Sequence, residues 1–251
     1  MPRRTPPGRL QDVASAACRV FIAKGYRRAL LTDVAKDLGL SHGILYHYVE
    51  NKQALFELAL VYATDPAALT ALAVPLPAPP EGRALQRAKA WAADQATFPV
   101  LGAAAGDSAG DPATELAGII DECYAFIEGN QRMLALIAGS ALDYPELRDF
   151  FINELRAPYI AQLTGYLRCR MAAGMLRPAR DAAVAARFII ESIAWFGWHR
   201  KGDPGPEVIT DEQARLTVRE LLLAAFAPAA QSKSATTTHG PSLLGAPPGA
   251  R

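Results

Sequence analysis

Apolar residues near the N-terminus recur every three or four positions, which is the spacing of one face of an amphipathic helix. Between residues 9 and 24 these positions hold Leu10, Val13, Ala14, Ala17, Val20 and Phe21. Gly25 is expected to end this helix, because glycine readily adopts the left-handed conformation found just past a helix terminus. A second short helix is predicted to end at Gly39.

Two polar residues are placed to begin further helices. Ser41 is expected to cap a third short helix that runs to about Tyr48, and Asn51 is expected to cap a fourth. Both side chains can accept a hydrogen bond from an unpaired amide of the first turn. Residues 65–82 carry five prolines, so they are predicted to form a linker with room for one helical turn.

The helical pattern continues through most of the remaining chain. Residues 102–112 are rich in Gly, Ala and Asp and are predicted to form a loop. Pro158 is expected to kink the helix that contains it, while Thr210 and Gln213 form a capping box. The predicted helices span about 82–98, 113–128, 130–142, 145–173, 181–199 and 211–227.

The fold class predicted from these patterns is all-α, because no run alternates between apolar and polar residues as a strand would. A small helical domain is expected over residues 9–64 and a larger helical domain over residues 65–227. Residues 1–8 are predicted to be a flexible basic arm. Residues 228–251 are rich in Pro, Ser, Thr and Gly and are predicted to be disordered.

Composition supports a well-packed core, with 51% hydrophobic and 20% charged residues in a chain of 251. The net charge of +1 excludes a basic coat over the whole chain. Residues 1–60, however, carry nine Lys and Arg against five Asp and Glu, whereas the rest carries 17 against 20. This asymmetry predicts that a surface facing phosphates lies at the N-terminal end.

Several classes of protein are not predicted. Cys18, Cys123 and Cys169 are widely spaced, so neither disulfides nor a metal site are expected, and all three are interpreted as small buried apolar residues. No secretory signal or membrane-spanning stretch is found, which favours the cytoplasm. The loop from Gly102 to Ser108 lacks the Lys-Ser/Thr of a phosphate loop, so neither an enzyme nor a cofactor is predicted.

The segment Leu31–Lys52 carries the most specific pattern. Two short predicted helices are joined through Gly39 and Leu40, as in a helix-turn-helix, whose second helix enters the DNA major groove. That second helix is rich in hydrogen-bonding and flat side chains. Lys52 falls in the first turn of the next helix, where backbone amides already favour a phosphate.

At this point the sequence resembles the TetR family of bacterial transcriptional regulators (TetR/AcrR type). The matching residues are Phe21, Lys24-Gly25-Tyr26, Asp33-Val34-Ala35, Leu38-Gly39-Leu40-Ser41, Gly43, Leu45-Tyr46-His47-Tyr48, Asn51-Lys52 and Ala54-Leu55. The resemblance implies a three-helix DNA-binding domain followed by a helical domain for ligand binding and dimerisation. Two positions differ: Ala29-Leu30 lacks the usual Ser or Thr cap, and Ile44 offers a methyl contact to thymine in place of a hydroxyl.

The resemblance also implies site residues. Those expected to face double-stranded DNA are Thr32, Ser41, His42, Gly43, Ile44, Tyr46, His47, Tyr48 and Lys52. Tyr48 has an alternative, which is packing against the first helix. In the family a regulatory ligand lies among the middle helices, and the candidates here are Trp91, Phe98, Tyr124, Met133, Phe151, Tyr166 and Trp195; each could instead be core.

The last two helices are apolar over more than one face, which predicts a homodimer interface. The candidates are Phe188, Ile193, Phe196, Val218, Leu221 and Leu222, unless both helices are interior to a monomer. The predicted function is a homodimeric repressor that a small, largely apolar ligand releases from a palindromic operator. The alternative is a DNA-binding regulator without a small-molecule effector, whose C-terminal domain binds a protein partner.

Overall fold

The computed structural model describes residues 9–104, 110–203, 205 and 208–228. Helices dominate this part of the chain, so the predicted all-α class is confirmed. The arm at residues 1–8 and nearly all of the tail lie outside the described residues. In the N-terminal part, α1 spans Arg9–Arg28 and α2 spans Leu31–Asp37; a 3-10 helix at His42–His47, here called the recognition segment, precedes α3 at Lys52–Thr64.

The second part of the chain contains eight further α-helices within the described ranges. A 3-10 turn at Pro66–Ala71 leads into it. The helices are α4 (Arg83–Gln95), α5 (Pro99–Ala104), α6 (Pro112–Gly129), α7 (Gln131–Ala141), α8 (Pro145–Asp149), α9 (Ala157–Ala172), α10 (Ala182–Gly197) and α11 (Asp211–Phe226). A π-helical segment, Phe150–Arg156, joins α8 to α9, and a 3-10 turn at His199–Gly202 follows α10.

Two helix starts follow the predicted capping chemistry. Asn51 Oδ1 accepts a hydrogen bond from the amide of Ala54 at 2.9 Å and begins α3. At α11 the Thr210 hydroxyl accepts from the Gln213 amide at 3.2 Å, while Gln213 Oε1 accepts from the Thr210 amide at 3.0 Å. Both predicted caps are therefore confirmed.

Gly25 interrupts the first helix as predicted, with a φ of +75°, and helical residues resume beyond this kink as far as Arg28. Three local expectations were wrong. The Ser41 side chain makes no capping bond, and the segment after it is a 3-10 helix. Part of the predicted loop 102–112 belongs to α5, while residues 105–109 lie outside the described ranges. Cys169 is exposed, unlike Cys18 and Cys123.

The N-terminal helices are anchored to the larger bundle by α1, which packs against both α3 and α7. Four aromatic rings meet at this junction. Phe21 and Tyr26 of α1 contact Phe56 of α3, with ring centroids 4.9 and 5.0 Å apart, and Tyr144 lies 5.1 Å from Tyr26. The two parts therefore share a continuous apolar core.

Candidate DNA-binding surface and internal cavity

Two buried side chains fix how the recognition segment sits on the bundle. Leu45 and Val49 are fully buried, so the face of this segment that carries Leu45 points inward. Gly39 makes the turn from α2 with a φ of +63°, a conformation that favours glycine over residues with a Cβ. The geometry is that of a helix-turn-helix with its second element held against the core.

Most of the predicted DNA-facing residues lie on the outside of this unit. Thr32, Ser41, Gly43 and His47 are exposed, and Tyr46 is 49% exposed. Ile44 is half-buried. The side chain of His42 lies outside the described part of the structure. The arrangement brings exposed hydroxyl, imidazole and phenol groups together around one short segment.

Tyr48 does not belong to this exposed set, because it is only 5% exposed. Its carbonyl accepts a hydrogen bond from the amide of Leu76 at 2.7 Å, and the Leu76 carbonyl in turn accepts from the Glu50 amide at 3.0 Å. The prolyl linker thus pairs with the end of the recognition segment. The prediction that Tyr48 faces DNA is therefore wrong, because its side chain belongs to the buried apolar core.

Lys52 is engaged by the protein itself. Its Nζ donates to the carbonyl oxygen of Arg27 at 2.8 Å and lies 5.0 Å from the ring centroid of Tyr26. Partial burial lowers the pKa of Lys52. An ammonium has three donors, so a phosphate contact stays a prediction, but the side chain also ties the start of α3 to the end of α1.

Lys36 was not among the predicted residues. It lies four residues after Thr32 on α2, hence on the same helix face, and it is exposed. Lys24 of α1, in contrast, is paired with Asp33 at 2.6 Å, and that contact holds the pKa of the Asp33 carboxyl below its usual value. The i, i+4 spacing from Thr32 was the signal in the sequence that could have identified Lys36.

A cavity of about 430 Å³ opens in the larger bundle. Such a volume falls within the range of roughly 300–1,000 Å³ typical of small-molecule sites. Its wall is mainly apolar and comes from α6, α7, the π-helical segment, α9 and α10, together with Phe98 just before α5 and Trp198 and His199 just after α10. The lining residues are Phe98, Cys123, Phe126, Ile127, Leu134, Ala138, Phe151, Leu155, Arg156, Tyr159, Ile160, Arg187, Ile190, Glu191, Ala194, Trp198 and His199.

Among the predicted ligand residues, the structure places Phe98 and Phe151 in this wall. The other five lie elsewhere, so their assignment to the cavity is corrected. Tyr124 and Met133 are core residues, and Trp195 is 47% exposed.

The remaining two aromatic candidates, Trp91 and Tyr166, form hydrogen bonds inside the protein. Trp91 is buried and donates to Asn130 Oδ1 at 2.9 Å, while Tyr166 lies beside the Arg170–Glu115 ion pair. Both rings therefore serve packing and internal hydrogen bonding.

Polar groups in the cavity wall are few. Arg156 donates through Nη2 to Glu191 Oε1, and Arg187 Nε lies 2.6 Å from the same oxygen. Burial raises the pKa of the Cys123 thiol to about 12 and lowers the pKa of His199. Thiol and imidazole are thus both neutral near pH 7.

The candidate dimer residues divide into two groups. Phe188 and Leu221 are 57% and 63% exposed, and Phe196 is half-buried. Ile193, Val218 and Leu222 are buried within the subunit, so their assignment to an interface is corrected. Three exposed apolar side chains on the same two helices were not predicted for it: Val184, Trp195 and Leu216.

Within the described ranges, no group of three or more His, Cys, Asp or Glu side chains is placed to hold a metal ion. No helix in the same ranges is long and apolar enough to cross a membrane.

The N-terminal helices match a known protein family. Residues 13–59 match the profile described as "Bacterial regulatory proteins, tetR family". This match covers α2, the recognition segment and most of α1 and α3. No curated protein matches the chain.

Three regulators are among the solved structures that align with this chain. The ketosteroid transcriptional regulator KstR2 of Mycobacterium tuberculosis is 17% identical, with a TM-score of 0.54 over 89% of this chain and 97% of that one. PfmR from Thermus thermophilus is 23% identical (TM-score 0.48, coverage 85% and 94%). AibR, solved with isovaleryl coenzyme A and operator DNA, is 19% identical (TM-score 0.48, coverage 87% and 100%). At 17% identity the likeness to KstR2 concerns the fold alone.

Proposed function

Because residues 13–59 place this chain in the tetR family of bacterial regulatory proteins, it is a transcriptional regulator, and we propose that it is a homodimeric repressor. The proposal rests chiefly on the helix-turn-helix geometry, in which buried Leu45 and Val49 turn the recognition segment outward. Exposed Thr32, Ser41 and His47 would then contact DNA, with the side chains near the start of the segment at the base edges.

A homodimer is supported by the exposed apolar side chains on α10 and α11. Val184, Phe188, Leu216 and Leu221 are each more than half exposed, which is costly in water unless another surface covers them. A second copy of this chain would cover them and hold two recognition segments about 34–36 Å apart, the spacing of half-sites one helical turn apart. A palindromic operator would match that symmetry.

Release by a small, largely apolar ligand is supported by the 430 Å³ cavity. The cavity also favours this interpretation over a protein partner, because a partner surface needs no internal cavity. For the ligand to release DNA, it must bind better to a conformer whose recognition segments are wrongly spaced, since equal affinity for both conformers would change nothing.

The test is selection of bound DNA from a random pool, followed by fluorescence titration of the selected duplex. We expect an enriched palindrome, and we expect a duplex carrying one half-site to bind far more weakly. A variant with Ser41→Ala should lose part of its preference for the selected sequence over scrambled DNA, because Ser41 lies exposed at the start of the segment and makes no capping bond. Enrichment of no sequence would overturn the proposal.

A companion thermal-shift screen with small apolar molecules tests the effector. At least one should raise the melting temperature and, at the same concentration, lower operator binding. Stabilisation without any change in operator binding would remove the effector from the proposal while leaving DNA recognition intact.

A further inference from the structure

Three charged side chains stand together at the edge of the cavity. Arg156, at the end of the π-helical segment, and Arg187, on α10, both contact Glu191 Oε1. Two guanidinium groups therefore share a single carboxylate. Apart from the titratable His199, Arg156, Arg187 and Glu191 are the charged side chains among the described residues of the wall. The cluster has a net charge of +1.

The excess charge is available at the mouth and not deep in the protein. The side chain of Arg156 is 33% exposed and that of Arg187 is 52% exposed. A guanidinium has five N–H donors in a fixed fork, so each has donors beyond those that Glu191 takes. An anion bound here would keep part of its hydration and avoid most of the cost of full burial.

A second unsatisfied polar group lies inside the wall. The hydroxyl of Tyr159 is buried and has no hydrogen-bonding partner among the described residues. It lies beside the Cys123 thiol, and sulfur is a weak acceptor. A buried hydroxyl with no partner stronger than a thiol is unfavourable, so an oxygen atom supplied by a ligand would satisfy it.

We propose that the effector is an apolar monocarboxylic acid: its carboxylate binds Arg156 and Arg187 at the mouth, and an oxygen within its apolar body accepts from Tyr159. This inference rests on the proposed function, because it specifies the chemical class of the ligand for the same cavity. Phe98 packs 4.3 Å from the Tyr159 ring, centroid to centroid, and these rings would enclose the body of the acid around the acceptor.

The binding of the ligand carboxylate by the two arginines is tested by calorimetric titration with decanoate and with decanol, which has a similar chain and no charge. Decanoate should bind more tightly to the wild type. Arg187→Gln together with Arg156→Gln should weaken decanoate binding about tenfold, whereas Glu191→Gln should tighten it, because the cluster then carries +2. Decanol binding should hardly change in either variant. Arg168→Gln removes an exposed charge from α9 away from the cavity wall and serves as the matched control.

The acceptor oxygen is tested with a series of oxodecanoates in which the ketone occupies successive carbons. One isomer should bind the wild type best, and Tyr159→Phe should abolish that preference while still binding decanoate. Equal affinity for all isomers would overturn the role of Tyr159.

The outcomes separate this inference from the proposed function. If decanol and decanoate bind equally and both release the selected operator, the carboxylate is refuted and the apolar effector stands. If the acids bind with the expected pattern but operator binding is unchanged, the ligand class stands and release by ligand is refuted. Opposite responses of the Arg and Glu191 variants cannot come from loss of folding, since misfolding would weaken both ligands.

Discussion

At the scale of single residues, two glycines allow α1 and α7 to approach closely. A Cβ on Gly139 would lie 2.9 Å from the carbonyl oxygen of Ile22. Gly25 has a φ of +75°, and a Cβ there would lie 2.8 Å from Asp143 Oδ2 and 2.9 Å from the Gly139 carbonyl oxygen. Backbone packs against backbone here, so neither neighbour can move aside cheaply.

We expect Gly139→Ala to lower the free energy of unfolding by about 1–3 kcal/mol, because the added methyl group overpacks the junction. Gly165→Ala is the control, since Gly165 lies inside α9 with open space around its Cα. That change should stabilise the protein by about 0.5–1 kcal/mol, the usual gain of Ala over Gly in a helix. Urea unfolding measures both, and an equal effect of the two changes would contradict the overpacking argument.

The sequence predicted that Gly25 ends a helix, but not that it allows α1 to approach α7 closely. Local spacing marked it as a helix terminus, and it does interrupt α1. The contact with Asp143 and Gly139, however, joins positions more than a hundred residues apart. Such an approach leaves no periodic signal, whereas Gly39, whose function is a local turn, could be predicted from its neighbours alone.

At the scale of elements, α10 has one face that lines the cavity and another that is exposed to solvent. Arg187, Ile190 and Ala194 line the cavity, while Val184 and Phe188 are exposed to solvent. The predicted dimer interface contained both buried and exposed positions. Apolar residues on several faces show that a helix is covered on several sides, but they do not show whether its own subunit or a second subunit covers each side. The same ambiguity explains why only Phe98 and Phe151 of the predicted ligand residues reach the cavity.

If α10 and α11 pair with a second copy, charge on their exposed apolar positions should separate the subunits. Phe188→Glu or Leu221→Glu is expected to convert a dimer that persists at micromolar concentration into monomers that bind the operator weakly. Val208→Glu is the matched control, since Val208 is 87% exposed and lies outside the helices. Sedimentation velocity measures the outcome, and a wild-type monomer would refute the dimer.

At the scale of the whole molecule, α7 runs from the cavity to the DNA-binding part. Leu134 and Ala138 lie in the cavity wall. Just past the end of α7, Asp143 Oδ2 accepts a hydrogen bond from the Arg27 amide at 3.1 Å, next to the kink in α1. The cavity and the helix-turn-helix therefore share one rigid element, which could carry a shift from one to the other.

We expect Asp143→Ala to reduce the factor by which decanoate weakens operator binding, because it removes the contact between the end of α7 and α1. Decanoate affinity in the absence of DNA should stay the same, since Asp143 is not in the cavity wall. Glu146→Ala, an exposed change on α8, is the control. The measurement is operator titration with and without decanoate, and an unchanged factor would show that the coupling runs through other contacts.

The two faces of α10 have a consequence for a dimer closed by this helix. Each cavity would then lie one helix thickness from the partner's surface, and a ligand that displaces Arg187 or Ile190 would also move Phe188 on the opposite side. The two cavities would not fill independently: the first molecule bound would alter the affinity for the second. Saturation curves of the dimer should depart from a simple hyperbola, and the monomeric Phe188→Glu variant should restore one.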